Sequence, residues 1–482
     1  MSEFKSTLVK GTFYIAIAKY SGIAAQIIIS AVLARLLHPS DFGLLAIASV
    51  IIAFFNILSN VGIGPAIIQR KDLSKYQIDQ LFSFTLHLGF LLALIFFCLS
   101  WPIAHIYGQE ELRPICQILS ILILCTCAST VSQNILYKEK QFKFVAFTNL
   151  FVQIGCGILA IVAALSGLGV YSLVLSQVAG ALITNTIFLV KRPRKYYFKQ
   201  DWTPVKSVFS YSAYNFLATL ANYVTMNLDK LLVGKFIGPT GLGYYEKSYR
   251  LMFMPIQNIT FVVEPVLHPL FSEIQNDFKQ IAHKYLKLLK SLAYASFSIA
   301  IVLSFCAKEL ILLFFGSQWG AAVLPFQVMA LSVGVQMLSM TCGAMFNACN
   351  ATKQSFIGAV IMGSLMGGSY MIAILIWKSI VAVAWGFLIS QTIAGLVNLH
   401  ILFHVIKTPM LAFYKAIAKP VIVASGLAVI YLLFNHLALI DNMFASLVLK
   451  GTVFMLYMFL ALIFVERINL FNVLVNMIKN KM

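Results

Sequence analysis

Charge is scarce in this chain, with Asp, Glu, Lys and Arg making up 11% of its 482 residues and only 16 acidic side chains against 35 Lys and Arg. Soluble domains carry roughly a quarter charged residues, so a soluble globular surface is excluded. Ten-residue segments of alternating polarity are also missing, which excludes a membrane β-barrel. Cysteine offers no metal-type CxxC pair and no extracellular framework. Cys98, Cys116, Cys125, Cys127, Cys156, Cys306, Cys342 and Cys349 all fall in or beside apolar segments and read as small hydrophobes. No catalytic motif is present, and the outward loops at 104–113 and 314–322 are too short to carry a catalytic domain. A membrane glycosyltransferase or polymerase is therefore disfavoured, and no cofactor or metal is expected.

Hydrophobic residues account for 60% of the sequence and mean hydropathy is +0.89. A spanning helix needs about 20 apolar residues, and lipid tolerates only helices or closed barrels because backbone polar groups must be satisfied internally. The runs predict an all-α integral membrane protein of about fourteen spans, from 11–36 to 443–465. The seventh and eighth are expected at 207–236 and 241–266, the ninth at 291–313 and the tenth at 323–346. Residues 1–10 are short and polar, and the apolar stretch behind them is too long for a signal h-region, so the first helix is expected to remain. With a cytoplasmic N-terminus, roughly 25 Lys and Arg lie on the cytoplasmic side, against Arg113 and Lys378 outside, which the positive-inside rule reads as both termini inside. That asymmetry accounts for most of the formal charge of +19 as topology and lipid contact, with no need for nucleic acid.

The chain repeats itself. Residues 33–43, LARLLHPSDFG, align with 233–243, VGKFIGPTGLG, matching Arg35 to Lys235, Pro39 to Pro239 and Gly43 to Gly243. Residues 140–142 resemble 353–356, and 173–180 resemble 387–395. Six spans per repeat, an even number, give both halves the same orientation, as in parallel-repeat transporters. The expected organisation is a six-helix lobe at 1–200, a second at 201–408 around a central cavity, and two further helices with a tail at 409–482.

Ionisable and polar groups inside spans are costly and point to function. Span 7 carries Asn215, Thr219, Asn222, Met226 and Asp229 on one helical face, and span 1 carries Lys19, Gly22, Gln26 and Ser30. Span 8 carries Glu246, Arg250, Gln257 and Glu264, with Lys247 beside Arg250. Bland readings stand beside these. Arg35 and Lys235 lie near outer helix ends, where snorkelling or a turn contact would explain them. Glu246 and Arg250, spaced i,i+4, could neutralise one another, and Asp229 could form a structural ion pair. Lys308, Glu309 and Lys450 read as interfacial anchors, and Tyr244 and Tyr245 as an aromatic belt. Pro255 and Pro265 would bend span 8. Should several cations share a cavity, a pyrophosphate-type polyanion is the expected ligand.

Residues 33–72, LARLLHPSDFGLLAIASVIIAFFNILSNVGIGPAIIQRKD, resemble the first helical hairpin of the polysaccharide transporter branch of the multidrug/oligosaccharidyl-lipid/polysaccharide (MOP) exporter superfamily, the Wzx-type flippases. Segments 229–238, 243–255 and 267–277 are similar to that family's second half, and the chain looks closest to WzxC-like exporters. The pair Lys247 and Arg250 departs from the common pattern. The resemblance implies translocation of undecaprenyl-pyrophosphate-linked oligosaccharide across a bacterial inner membrane for O-antigen, capsule or exopolysaccharide synthesis. It also implies membrane lipid as solvent and a polymerase with chain-length machinery as partners. A peptidoglycan lipid-precursor flippase is the nearest alternative; a drug or small-cation exporter would call for an acidic cavity. The site residues so expected are Lys19, Gln26, Arg35, Asn215, Asn222, Asp229, Lys247 and Arg250.

Overall fold

The computed structural model describes residues 2–59, 63–70, 73–209, 213–437 and 442–465. Every regular element among them is helical, in two compact units that meet in sequence at 243 and 244.

The first unit contains α1 (Ser2–Leu36), α2 (Pro39–Ser59), α3 (Ile63–Gln69), α4 (Lys75–Tyr107), α5 (Leu112–Lys138), α6 (Phe142–Leu165), α7 (Val170–Lys191), α8 (Trp202–Phe209) and α9 (Ala213–Phe236). It closes with the start of α10 (Pro239–Ser272). The ends of these helices follow local chemistry. Ser74 and Gln77 form a reciprocal capping box on α4, and Gly108, at φ 63°, closes its far end. Proline opens both α2 and α10, where its missing N–H costs nothing. Antiparallel neighbours α4 and α5 pack closely, as do α1 with α6 and α5 with α7. An apolar cluster of Ile63, Ile67, Leu81, Phe82, Val131, Ile135 and Val205 joins α3, α4, α5 and α8.

The repeated turns meet here. A Cβ on Gly43 would stand 1.8 Å from the Pro239 carbonyl oxygen, and one on Gly243 would stand 1.9 Å from that of Pro39. Two backbones approach this closely only because both positions are glycine. The Lys235 ammonium donates to the Ile106 carbonyl at the end of α4, and the Tyr107 hydroxyl reaches the Leu231 carbonyl at 3.5 Å. Lys235 therefore neutralises a helix C-terminus, the turn contact that its position suggested.

The second unit continues with α11 (Phe278–Phe305), α12 (Ala307–Phe315), a 3₁₀ segment (Ser317–Ala322), α13 (Val323–Ala330), α14 (Val333–Ser339), α15 (Thr341–Ala348), α16 (Thr352–Trp377), α17 (Ile380–Val405), α18 (Met410–His436) and α19 (Met443–Phe464). Its core holds Trp319, Tyr285, Tyr370, Phe326, Phe387 and Phe403. The Tyr285 hydroxyl bonds Thr341 at 2.7 Å.

By length and composition 11 described helices can cross a membrane, or 12 when the pair Ser317–Ala330 and Val333–Ala348, bent by 48°, counts as one span. This is a multi-pass membrane protein. The expected ninth span divides at Cys306 into α11 and α12, and the expected tenth into three short helices. The expected seventh and eighth spans fall on α9 and α10, which are not among those 11 or 12. Helix α10 runs unbroken through Pro255, Pro265 and Pro269.

Two interfacial readings are corrected. Lys450 is 2% exposed, and its ammonium lies 2.5 Å from Glu309 and 3.1 Å from the Phe305 carbonyl, while Ser446 donates to the same carboxylate at 2.9 Å. These groups form a buried pair that ties α12 to α19, because two charges without water survive only with each other and further hydrogen bonds. Tyr245 is fully buried rather than interfacial; its ring stacks on Tyr249, which in turn stacks on Phe253, the i,i+4 ladder of one helix face. Tyr244 donates to the Gln318 carbonyl at 3.2 Å and meets Trp319 edge to face.

Candidate polar groove and membrane transport site

Helix α1 crosses α6 where small residues allow it. Gly22 sits opposite Gln153, whose amide donates to the Gly22 carbonyl at 3.1 Å, and a Cβ at this glycine would meet the Gln153 oxygen at 3.2 Å. Below this crossing a cavity of ≈ 410 Å³ opens, lined by Lys19, Gly22 and Gln26 of α1, Asn149 and Gln153 of α6, and the rings of Tyr137 and Phe142 at one end. One ammonium and three carboxamides converge on it, and among the described residues no carboxylate lines it. Lys19 is exposed to this space, and among the described residues it has no carboxylate partner. An ammonium so placed in a membrane helix pair is a donor waiting for an acceptor, and amides on the same wall supply both donors and acceptors for hydroxyls.

Lys19 and Gln26, both read from the sequence, share this groove. Asn149 and Gln153 were not read from it. Their i,i+4 spacing inside an otherwise apolar span is the available signal, a weaker one than the charges on other spans. Arg35 lies exposed in the last turn of α1. Asp229 is buried and its carboxylate accepts the Lys230 N–H at 2.8 Å. Asn215 and Asn222 belong to α9, but their side chains lie outside the described residues. In the second unit Lys247 is 5% exposed, with its ammonium 5.1 Å from the Phe315 ring centre and 5.6 Å from that of Trp319. Those aromatic faces solvate its charge. Arg250, one turn further, is exposed.

The described helices make a multi-pass membrane protein with a polar groove between α1 and α6. The family model for polysaccharide biosynthesis proteins matches residues 32–324, more than half of the chain. The chain belongs to that family. Among its relatives are the teichuronic acid biosynthesis protein TuaB of Bacillus subtilis (strain 168), 28% identical over 78% of both chains, and the lipopolysaccharide biosynthesis protein WzxC of Escherichia coli (strain K12), 25% identical, again over 78% of each. In fold it is similar to the lipid II flippase MurJ in an inward closed conformation, with a TM-score of 0.73 at 16% identity over 94% of this chain and 98% of that one.

Proposed function

We propose that the chain carries undecaprenyl-pyrophosphate-linked oligosaccharide repeat units from the cytoplasmic to the periplasmic leaflet of a bacterial inner membrane, before polymerisation outside. Fourteen spans, cytoplasmic termini, two six-helix lobes at 1–200 and 201–408 and an added helix pair at 409–482 complete the reading. The observation that carries it is the α1–α6 groove, where Lys19 stands among Gln26, Asn149 and Gln153 without a lining carboxylate.

A pyrophosphate-linked sugar presents two chemistries that hydrocarbon rejects, charge and many hydroxyls. Lys19 supplies a compact positive charge for phosphate oxygens. The carboxamides pair with hydroxyls in both senses, so neither partner is left desolvated. The lipid tail needs no protein shelter and stays in the bilayer. Alternating access would expose the polar surface to one side at a time. With the inside negative, moving anionic cargo outward is favoured by about 2.3 kcal/mol per charge per 100 mV, and the same field draws the positively charged empty carrier back.

Deleting the protein tests this reading. Lipid-linked repeat units should accumulate while surface polymer is lost, and the sugar composition of the accumulated lipid identifies the cargo. Unchanged polymer and unchanged lipid intermediates, in a strain without a second exporter, would overturn it. Accumulation of a peptidoglycan precursor instead would transfer the same mechanism to that substrate.

A further inference from the structure

The segment joining α7 to α8, residues 192–201, is tied down along its length. Arg192 pairs with Glu139 at the end of α5, and its carbonyl accepts from Ser132 at 3.1 Å. Arg194 lies 3.6 Å from the buried Asp79 carboxylate. The Tyr197 N–H donates to Ser83 at 2.9 Å, the Asp201 N–H to Gln80 at 3.0 Å, and the Gln200 amide to the Gln80 carbonyl at 3.3 Å. Asp201 accepts the Thr203 N–H at 2.9 Å, the usual cap of a helix start, and that bond holds its carboxyl below the ordinary range.

With these groups turned inward, the residues between them are turned out. Lys195 and Lys199 are exposed, and so are Trp202 at 55% and Phe198 at 87%, while Tyr196, at 50%, keeps its hydroxyl 2.9 Å from His87. A phenyl ring so bare on a segment otherwise fastened by hydrogen bonds calls for an apolar neighbour.

The height of the segment says what that neighbour is. Helix α4 has 33 residues, about 50 Å at 1.5 Å per residue, while hydrocarbon takes about 20 residues. Residues 88–106 are nearly all apolar, whereas Asp79, Gln80, Ser83 and His87, which hold the segment, lie in the first turns. The segment therefore runs level with lipid headgroups, where amphipathic aromatics and lysines collect.

We infer that the outward face of residues 195–202 is a binding surface for anionic lipid: Lys195 and Lys199 meet headgroup phosphates while Phe198 and Trp202 enter the acyl boundary. Interfacial segments of this kind combine apolar insertion with attraction to anionic lipid, so neither half suffices alone. The inference goes beyond the transport reading and uses no substrate, so its failure leaves that reading untouched.

To test it, an environment-sensitive fluorophore is attached at Phe198→Cys in the full chain carrying Cys98→Ser and Cys349→Ser. The protein is reconstituted in vesicles of phosphatidylcholine alone or mixed with phosphatidylglycerol in about equal amounts. In the mixed membrane, iodide quenching of the probe should fall at least about threefold and its emission should shift to the blue. Lys195→Glu with Lys199→Glu, two exposed positions, should abolish that difference. Equal protection in both membranes, unaffected by the charge reversal, would overturn the claim of anionic recognition. A probe open to iodide in every membrane would overturn the surface altogether and leave this face to a soluble partner.

Discussion

Lys19 is worth the most at the scale of a single residue. Its ammonium faces a groove whose other polar groups are uncharged, so no neighbour replaces it. Lys19→Ala should cut surface polymer by about tenfold or more at unchanged protein level, since a charge-assisted hydrogen bond contributes about 1.5–3 kcal/mol. Lys19→Arg should recover part of that loss. Polymer sugar assayed against immunoblotted protein decides it, and normal polymer from the alanine variant would remove the cation from the mechanism. Glu309 answers to stability rather than transport. Glu309→Gln strands Lys450 without its counter-charge and should cost about 3–5 kcal/mol, whereas Glu309→Gln with Lys450→Met should regain much of it. Thermal unfolding in detergent measures both. The sequence disclosed Lys19 and Gln26 because a polar face in a first span stands out. It disguised Lys450 and Lys247, since a charge near a helix end reads alike whether it snorkels, pairs with a residue 141 positions away or lies over aromatic rings.

Among elements, most helices were legible because an apolar run of the right length has few other fates in lipid. Breaks inside such runs were not. Residues 323–346 carry no charged side chain, yet they form three short helices with a 48° bend across the pair. Hydropathy is blind to where a backbone turns when both sides of the turn are greasy. The fold-back of residues 192–201 onto α4 depends on partners more than a hundred positions away, which no local pattern shows. The α2 and α10 turns, in contrast, announced themselves by repeating. Gly43→Val or Gly243→Val drives a side chain into a carbonyl oxygen and should abolish monodisperse protein in detergent size-exclusion chromatography. Gly64→Ala, which meets only the Asn134 side-chain amide, should be tolerated far better.

For the whole molecule, orientation is the property with the widest consequences, and the Lys and Arg bias makes it testable. Single cysteines at Lys195 and Lys415 should resist an impermeant thiol reagent in intact cells and react after lysis, while those at Arg113 and Lys378 should react in both. The reverse pattern would turn the proposed direction of transport around. Arg113 over the Trp101 ring at 4.7 Å, at one end of α4, and Lys191 over Phe144 at 5.2 Å, at the end of α7, are the kind of cation and aromatic pairs that mark a membrane boundary.

The reciprocal fit of the two proline turns carries one more implication. Each glycine receives the other turn's proline carbonyl, so the contact is isologous, the form taken when two identical subunits meet about a twofold axis. Here a single chain holds both sides. A change in either turn is felt by its counterpart two hundred residues away, and neither copy is free to drift alone.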